Sequence, residues 1–364
     1  MEESASLVVE KKWIVSRNFD LLIFGTPLLL ALLVTPIALH AYPTHIPLWA
    51  FVAIIIAFDV AHVWATAYRI FLDRAEYRRR FWFYTLPIPV SFVVALVVHL
   101  FDPLVYWTVL AYVAIVHFIR QPYGFVAMYK SRFSEYSTLD YRLDKWSVWC
   151  AALGPLLWWH ASPQRVFDWF DAGEFFLVRV PKSFIPYIAG VYLSTALIYV
   201  ARQVYLWRRR DRINIGKIMV MGGTWLTWAI GIAVANPLVS AAFLNLFHAI
   251  PFLGVLWVYC TNKWSSVRPD VGFWSESLMQ RIFARRSVFL FFLVVFLPAL
   301  IEEICWDAST WHVYLPFEDL QLSDSWSSLW VALLSVPQIV HYWTDTFIWK
   351  FNRSNPDLKH NLGL

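Results

Sequence analysis

Charged residues are scarce in this chain: they make up 15% of its 364 residues, against roughly 25% in an ordinary soluble domain. That shortage excludes a soluble globular fold, because 59% of the residues are hydrophobic and most of the chain must therefore be solvated by lipid. Cysteine is nearly missing. Cys150, Cys260 and Cys305 stand singly, with no CxxC or CxxCH spacing, so neither a thiolate metal site nor a covalent haem is expected. Internal repeats, low-complexity tracts and long linkers are also lacking, which points to one domain. The polar residues 1–18 lack the apolar core of a cleavable signal, so the first apolar segment, beginning near Phe19, is expected to stay as a helix.

Long apolar runs, by contrast, are abundant. A bilayer span needs about 20 such residues, and ten segments qualify or nearly do: 19–40, 46–70, 82–101, 103–129, 146–161, 184–207, 216–235, 237–260, 286–305 and 326–349. The fifth is short. The expected fold is an all-α, polytopic transmembrane bundle of about ten helices. A cytoplasmic segment, 1–18, precedes a helical domain, 19–350, and a cytoplasmic tail, 351–364, follows it. The 22 Trp and 17 Tyr fit the same class, since amphipathic rings collect at membrane interfaces and fill bundle interiors.

Lys and Arg set the orientation. With the N-terminus cytoplasmic, 26 of the 30 basic residues fall on that side, beginning with Lys11, Lys12 and Arg17. The exterior loops hold only Arg165, Arg179 and Lys182, beside Asp168, Asp171, Glu174, Asp307, Glu318, Asp319 and Asp324. Both termini are thus expected inside. The stretch Arg74 to Arg80 and the run Arg208, Arg209, Arg210 read as contacts with the anionic leaflet. Because the basic balance is topological, nucleic acid is not an expected partner.

Ten histidines divide into two groups. His40, His45, His99, His160 and His312 fall at exterior helix ends or loops, and His360 lies in the tail; solvated or interfacial side chains account for all six. His62, His117, His248 and His341 instead lie inside apolar segments, each on a different even-numbered helix. An ionisable group there is costly and marks a functional candidate. Counted from the cytoplasmic ends they lie about 8, 13, 14 and 8 residues deep, a spread of about 9 Å at the helical rise, so one shared site in the cytoplasmic half is expected.

Their neighbours extend the pattern. Asp59 precedes His62 by three positions and Asp345 follows His341 by four, so each pair shares a helical face. A carboxylate so placed can orient an imidazole or join it as a ligand. Arg120 and Gln121 follow His117, and Pro122 and Gly124 are expected to interrupt that helix. Arg120 either holds an anionic substrate group or neutralises Asp59 or Asp345; the second reading is preferred. Thr66, Tyr68 and Arg69 continue the face of His62. Asn245 and Gln338 each precede a histidine by three positions, where they can orient it, contact a ligand or join helices. Glu302 and Glu303, at the exterior end of the ninth segment, read as interfacial and far from the histidines.

Three chemistries compete. Several imidazoles with one or two carboxylates suit iron, copper or zinc, and the preferred reading is a non-haem iron oxidoreductase. Its substrate would be a lipid or isoprenoid entering from the bilayer, with an electron-donor protein as a partner. A haem-binding electron-transfer subunit is the second; the familiar arrangement of two histidines on each of two helices is not met here. A proton-coupled transporter is the third, but the cluster Gly216, Gly222, Gly223 and Gly231 has no counterpart elsewhere in the chain. The HxxxH and HxxHH boxes of membrane fatty-acid desaturases are absent.

In the number and setting of the histidines, carried by His62, His117, His248 and His341, the chain resembles the bacterial membrane β-carotene dioxygenases of the Brp/Blh family. That resemblance implies one iron held by four histidines and a long apolar substrate. The expected location is the bacterial inner membrane, as a multi-pass protein.

Overall fold

The computed structural model describes residues 13–133, 135, 137–162, 179–210, 213–266, 274–315 and 323–364. Lys11, Lys12, Arg165, Asp168, Asp171, Glu174, Glu318 and Asp319 lie outside the described residues, as do the side chains of Arg210 and Asp324. Helices are the only regular elements among the described residues. Ten are long: α1 (Arg17–Ala41), α2 (Leu48–Arg69), α3 (Phe81–Phe101), α4 (Pro103–Arg132) and α5 (Thr138–His160), then α6 (Ile185–Arg210), α7 (Ile215–Ala233), α8 (Pro237–Ser266), α9 (Val288–Trp306) and α10 (Asp324–Ile348). Every expected segment corresponds to one of them.

Short polar side chains start these helices by taking up free backbone N–H groups. Ser16 accepts from Phe19 N, Asp102 from Leu104 N and Val105 N, Asn214 from Lys217 N, and Ser287 from Leu290 N. Proline at the first position of α4 costs nothing, since its missing N–H has no helical partner there.

Eight of the ten, all but α5 and α10, are long and apolar enough to cross a membrane, and their outer faces carry side chains such as Leu22, Leu33, Val97 and Leu197. The molecule is a helical membrane protein. Helix α5 is more polar because its first two turns carry ionic groups that are paired inside the bundle. Lys130 Nζ lies 2.7 Å and Lys217 Nζ 3.8 Å from Asp144, and Arg202 Nε 2.8 Å from Asp140. Several basic residues counted toward orientation are therefore neutralised locally. Helix α10 turns Ser335, His341 and Thr344 fully inward.

Helix α8 is the axis. Its most apolar stretch is 89% buried, against 11% for the peripheral α6, as expected for a helix that is apolar all round. It packs against α1, α2, α4 and α7. Glycines permit the close approaches: a Cβ on Gly223 would stand 2.6 Å from the Phe247 ring, and one on Gly216 1.9 Å from Tyr129. The glycine cluster thus serves packing, and α7 runs unbroken.

One further expectation changes. Helix α4 continues through Pro122 and Gly124 to Arg132. An internal proline removes one hydrogen bond, which membrane helices tolerate where neighbouring helices pack against them. The C-terminal segment packs back against the bundle. Leu358 and Leu362 are buried on α8, where Asn262 Nδ2 donates to the Asn361 carbonyl at 2.8 Å. Part of the basic stretch after α2 turns toward this segment rather than toward lipid: Arg79 donates to the Ser354 carbonyl and Arg80 to Asn355 Oδ1.

The packing at α7 makes a checkable pair. Gly216→Ala should lower stability by about 1–3 kcal/mol through overpacking, whereas Gly222→Ala, with nothing within 4 Å of its Cβ, should be neutral or gain up to about 1 kcal/mol. Thermal unfolding of the detergent-solubilised protein distinguishes them.

Candidate metal centre

Four helices surround one point in the bundle. Helix α2 touches α8 and α10, and α4 touches the same two. Each sends one histidine inward: His62, His248, His117 and His341 are 2%, 4%, 8% and 1% exposed. One ring nitrogen from each lies within 4.8 Å of every other. The convergence expected from depth along the helices is present, and such a group can hold a metal ion.

The rings follow the cyclic order of the helices. Neighbours in the sequence His62, His248, His117, His341 have centroids 4.6, 4.9, 4.8 and 4.7 Å apart, with ring planes crossing at 86°, 74°, 68° and 84°. His62 and His117, on opposite sides, are 6.5 Å apart and 21° from parallel. A tetrahedron would make all separations equal; a square makes its diagonal about 1.4 times its side, and geometry is diagnostic of the ion. The four centroids thus form a ring of near-equal sides with one longer diagonal, which a regular tetrahedron does not give. His62 Nε2 is 3.1 Å from His248 Nε2, and His341 Nε2 is 3.1 Å from His117 Nε2. Both pairs are close enough for one ion to be shared among the four rings.

Outer contacts fix the ring orientations, as metal-binding histidines require. The Asp59 backbone carbonyl accepts from His62 Nδ1, which leaves Nε2 to face the centre. The preceding turn of α2, Phe51–Val60, is π-helical, a form that recurs at functional sites, and Asp59 and His62 straddle its end. His341 Nδ1 lies 2.7 Å from Thr66 Oγ1, a bond from α10 to α2. His248 stacks on Phe118 at 3.9 Å, and Tyr342 lies against His117 at 4.6 Å. Phe252 closes the box edge-on to His62 and His341.

The remaining candidates divide. The Asp59 carboxylate stands 3.7 Å from His62 Nδ1 and the Asp345 carboxylate 3.8 Å from His341 Nε2, so both adjoin the cluster without a close bond to it. Gln338 Nε2 donates to the Tyr342 hydroxyl at 2.6 Å, so it braces the ring beside His117 rather than its own neighbour His341. Asn245 is buried beside His248, and among the described residues neither Asn245 Oδ1 nor His248 Nδ1 has a hydrogen-bond partner. Gln121 is likewise unpartnered at both polar atoms. Arg120 pairs with neither Asp59 nor Asp345, contrary to expectation. Its one described contact is Thr346 Oγ1 at 3.4 Å, and it lines a cavity whose wall also carries Asp345.

That cavity, about 890 Å³, lies between α4, α5, α8 and the end of α10 and reaches His117 at one wall. The two adjacent glutamates also need correction. Glu302 and Glu303 are each 8% exposed, and Glu302 accepts from Trp64 Nε1 at 2.6 Å, two residues from His62. His99 and His160 are likewise held inside, by Ser328 and by Tyr112.

Thr66, Phe118, Trp64 and Tyr342 were the residues whose roles the sequence concealed. Only Thr66 left a trace, one turn after His62 on the same face. Comparison with known proteins finds no matching family, curated protein or solved structure.

If the four rings share one ion, His248→Ala should reduce bound metal to a small fraction of the wild-type content while the protein still inserts and folds. Thr66→Val, which removes only the partner of His341 Nδ1, should weaken metal affinity about 10-fold. Metal analysis after dialysis against graded chelator reads both.

Proposed function

We propose that this protein is a membrane-embedded oxidoreductase built on one non-haem iron, with His62, His117, His248 and His341 as ligands and a lipid-soluble substrate. The observation that carries the reading is the cluster of four buried imidazole nitrogens within 4.8 Å of one another. Burying four imidazoles in an apolar bundle is costly, and a shared cation compensates by giving every inward lone pair a partner. A bound iron would supply one-electron and dioxygen chemistry.

The chain's own residues account for the rest of the site. The Asp59 carbonyl and Thr66 hold two rings in the ligating tautomer. Phe118, Tyr342 and Phe252 exclude water from the edges of the box. His117 forms part of the cavity wall, so a substrate lying there would meet the centre from one side. Electrons would come from a partner protein, and the resemblance to the Brp/Blh dioxygenases supports the same assignment of iron and apolar substrate. We place the protein in the bacterial inner membrane.

The haem reading loses support on size, since nitrogens within 4.8 Å of one another leave space for an ion and none for a porphyrin. The transporter reading loses support from α7, which is continuous. Copper(II), which likewise takes imidazole ligands, is the competing metal.

Purified protein should contain about one iron per chain, as the single cluster implies, and show no Soret band. One copper in its place would keep the site and change the metal. A Soret band, or the absence of any transition metal after expression in metal-replete cells, would overturn the proposal.

A further inference from the structure

The cavity beside His117 is apolar along most of its wall. Tyr123, Phe125, Met128, Trp149, Phe252 and Val255 line it, and it follows α4 from Val116 to Met128, about 18 Å of helical rise. A compartment of this shape takes a long hydrocarbon chain.

Its charge is of the opposite kind to what an uncharged hydrocarbon needs. Arg120, Lys145 and Lys350 all line the cavity, against the single carboxylate of Asp345. Among the described residues none of the three cations has an ion-pair partner. All three are exposed at the mouth of the cavity, unlike Lys130 and Lys217, which are buried and paired with Asp144 and Glu135. Arg120 sits one turn from His117 on the cavity side of α4, and Gln121 next to it offers a donor and an acceptor that no protein group satisfies. An unpaired guanidinium beside an unsatisfied amide, at the edge of an apolar channel, is the chemistry that recognises a carboxylate or phosphate.

We propose that the cavity binds a single-chain amphiphile with an anionic head group, held by Arg120 and the Gln121 amide, with the apolar chain along Tyr123, Phe125, Trp149 and Phe252. This rests on the proposed function for its catalytic meaning but not for the binding itself. Lys145 and Lys350 add to the positive field of the cavity, which draws the anion in from the leaflet. Binding the head group one helical turn from His117 places the first carbons of the chain, rather than its far end, nearest the metal centre.

The test uses the full-length protein in phosphatidylcholine nanodiscs, titrated with a fluorescent long-chain carboxylic acid and with the alcohol of the same chain. The acid should bind about tenfold more tightly, the scale of one charge-assisted pair. Arg120→Gln should remove that preference and leave alcohol binding unchanged, while Arg120→Lys should retain most of it. Repeating the titration with phosphatidylglycerol in the nanodisc tests the chain number: no competition is expected for a single-chain acid, and full competition by this two-chain lipid would overturn the single-chain assignment. Equal affinity for acid and alcohol in the wild type, or a preference that survives in Arg120→Gln, would overturn the proposal. Metal content measured on the same preparations keeps the two readings apart, because loss of discrimination with the metal retained counts only against the amphiphile.

Discussion

Four imidazoles cannot be buried in a hydrocarbon-like core without partners, and the architecture around α8 can be understood from that constraint. Each ring must be aimed, and each is aimed by a different means: a backbone carbonyl for His62, a threonine hydroxyl for His341, and aromatic faces for His248 and His117. Three of the four supports come from a helix other than the histidine's own. As a result the positions of those three rings depend on the packing of two helices, and the cluster holds only while α2, α4, α8 and α10 keep their places. The glycine contacts of α7 with α4 and α8 secure that scaffold from outside.

Polarity is graded around the site in a way that gives its two sides different characters. Toward α9 stand the carboxylates of Asp59, Glu302 and Glu303, with Trp64 bridging to Glu302. Toward α5 and the end of α10 lies the cavity with Arg120, Lys145 and Lys350. A centre between an acidic side and a basic, apolar-walled side has direction: one side suits cations or protons, the other an anionic amphiphile. The aromatic box between them keeps the two from mixing.

Much of this was legible in the sequence because the membrane imposes strict local rules. All ten long helices follow from apolar run length, and α5 is the instructive near-miss: its first turns look like a basic loop, yet they are helical because Asp140 and Asp144 meet Arg202, Lys130 and Lys217 in space. Pro122 misled for a related reason. A proline's local preference can be overruled when neighbouring helices pack against its own, and nothing in α4 alone announces those neighbours. Arg120 was assigned to an acid by proximity in depth; which way a long side chain turns is set by the space beside it, and depth carries no information on that.

By itself the sequence determined the class, the helices, and the level at which His62, His117, His248 and His341 meet, because hydrophobic length and axial rise are one-dimensional quantities. Tertiary structure alone decided the cyclic order of the rings, their crossing angles, the service of Thr66 to a histidine on another helix, and the placing of Glu302 against Trp64. These depend on rotation about the helix axes and on which helices adjoin. Packing of whole surfaces sets both, and no single segment encodes it.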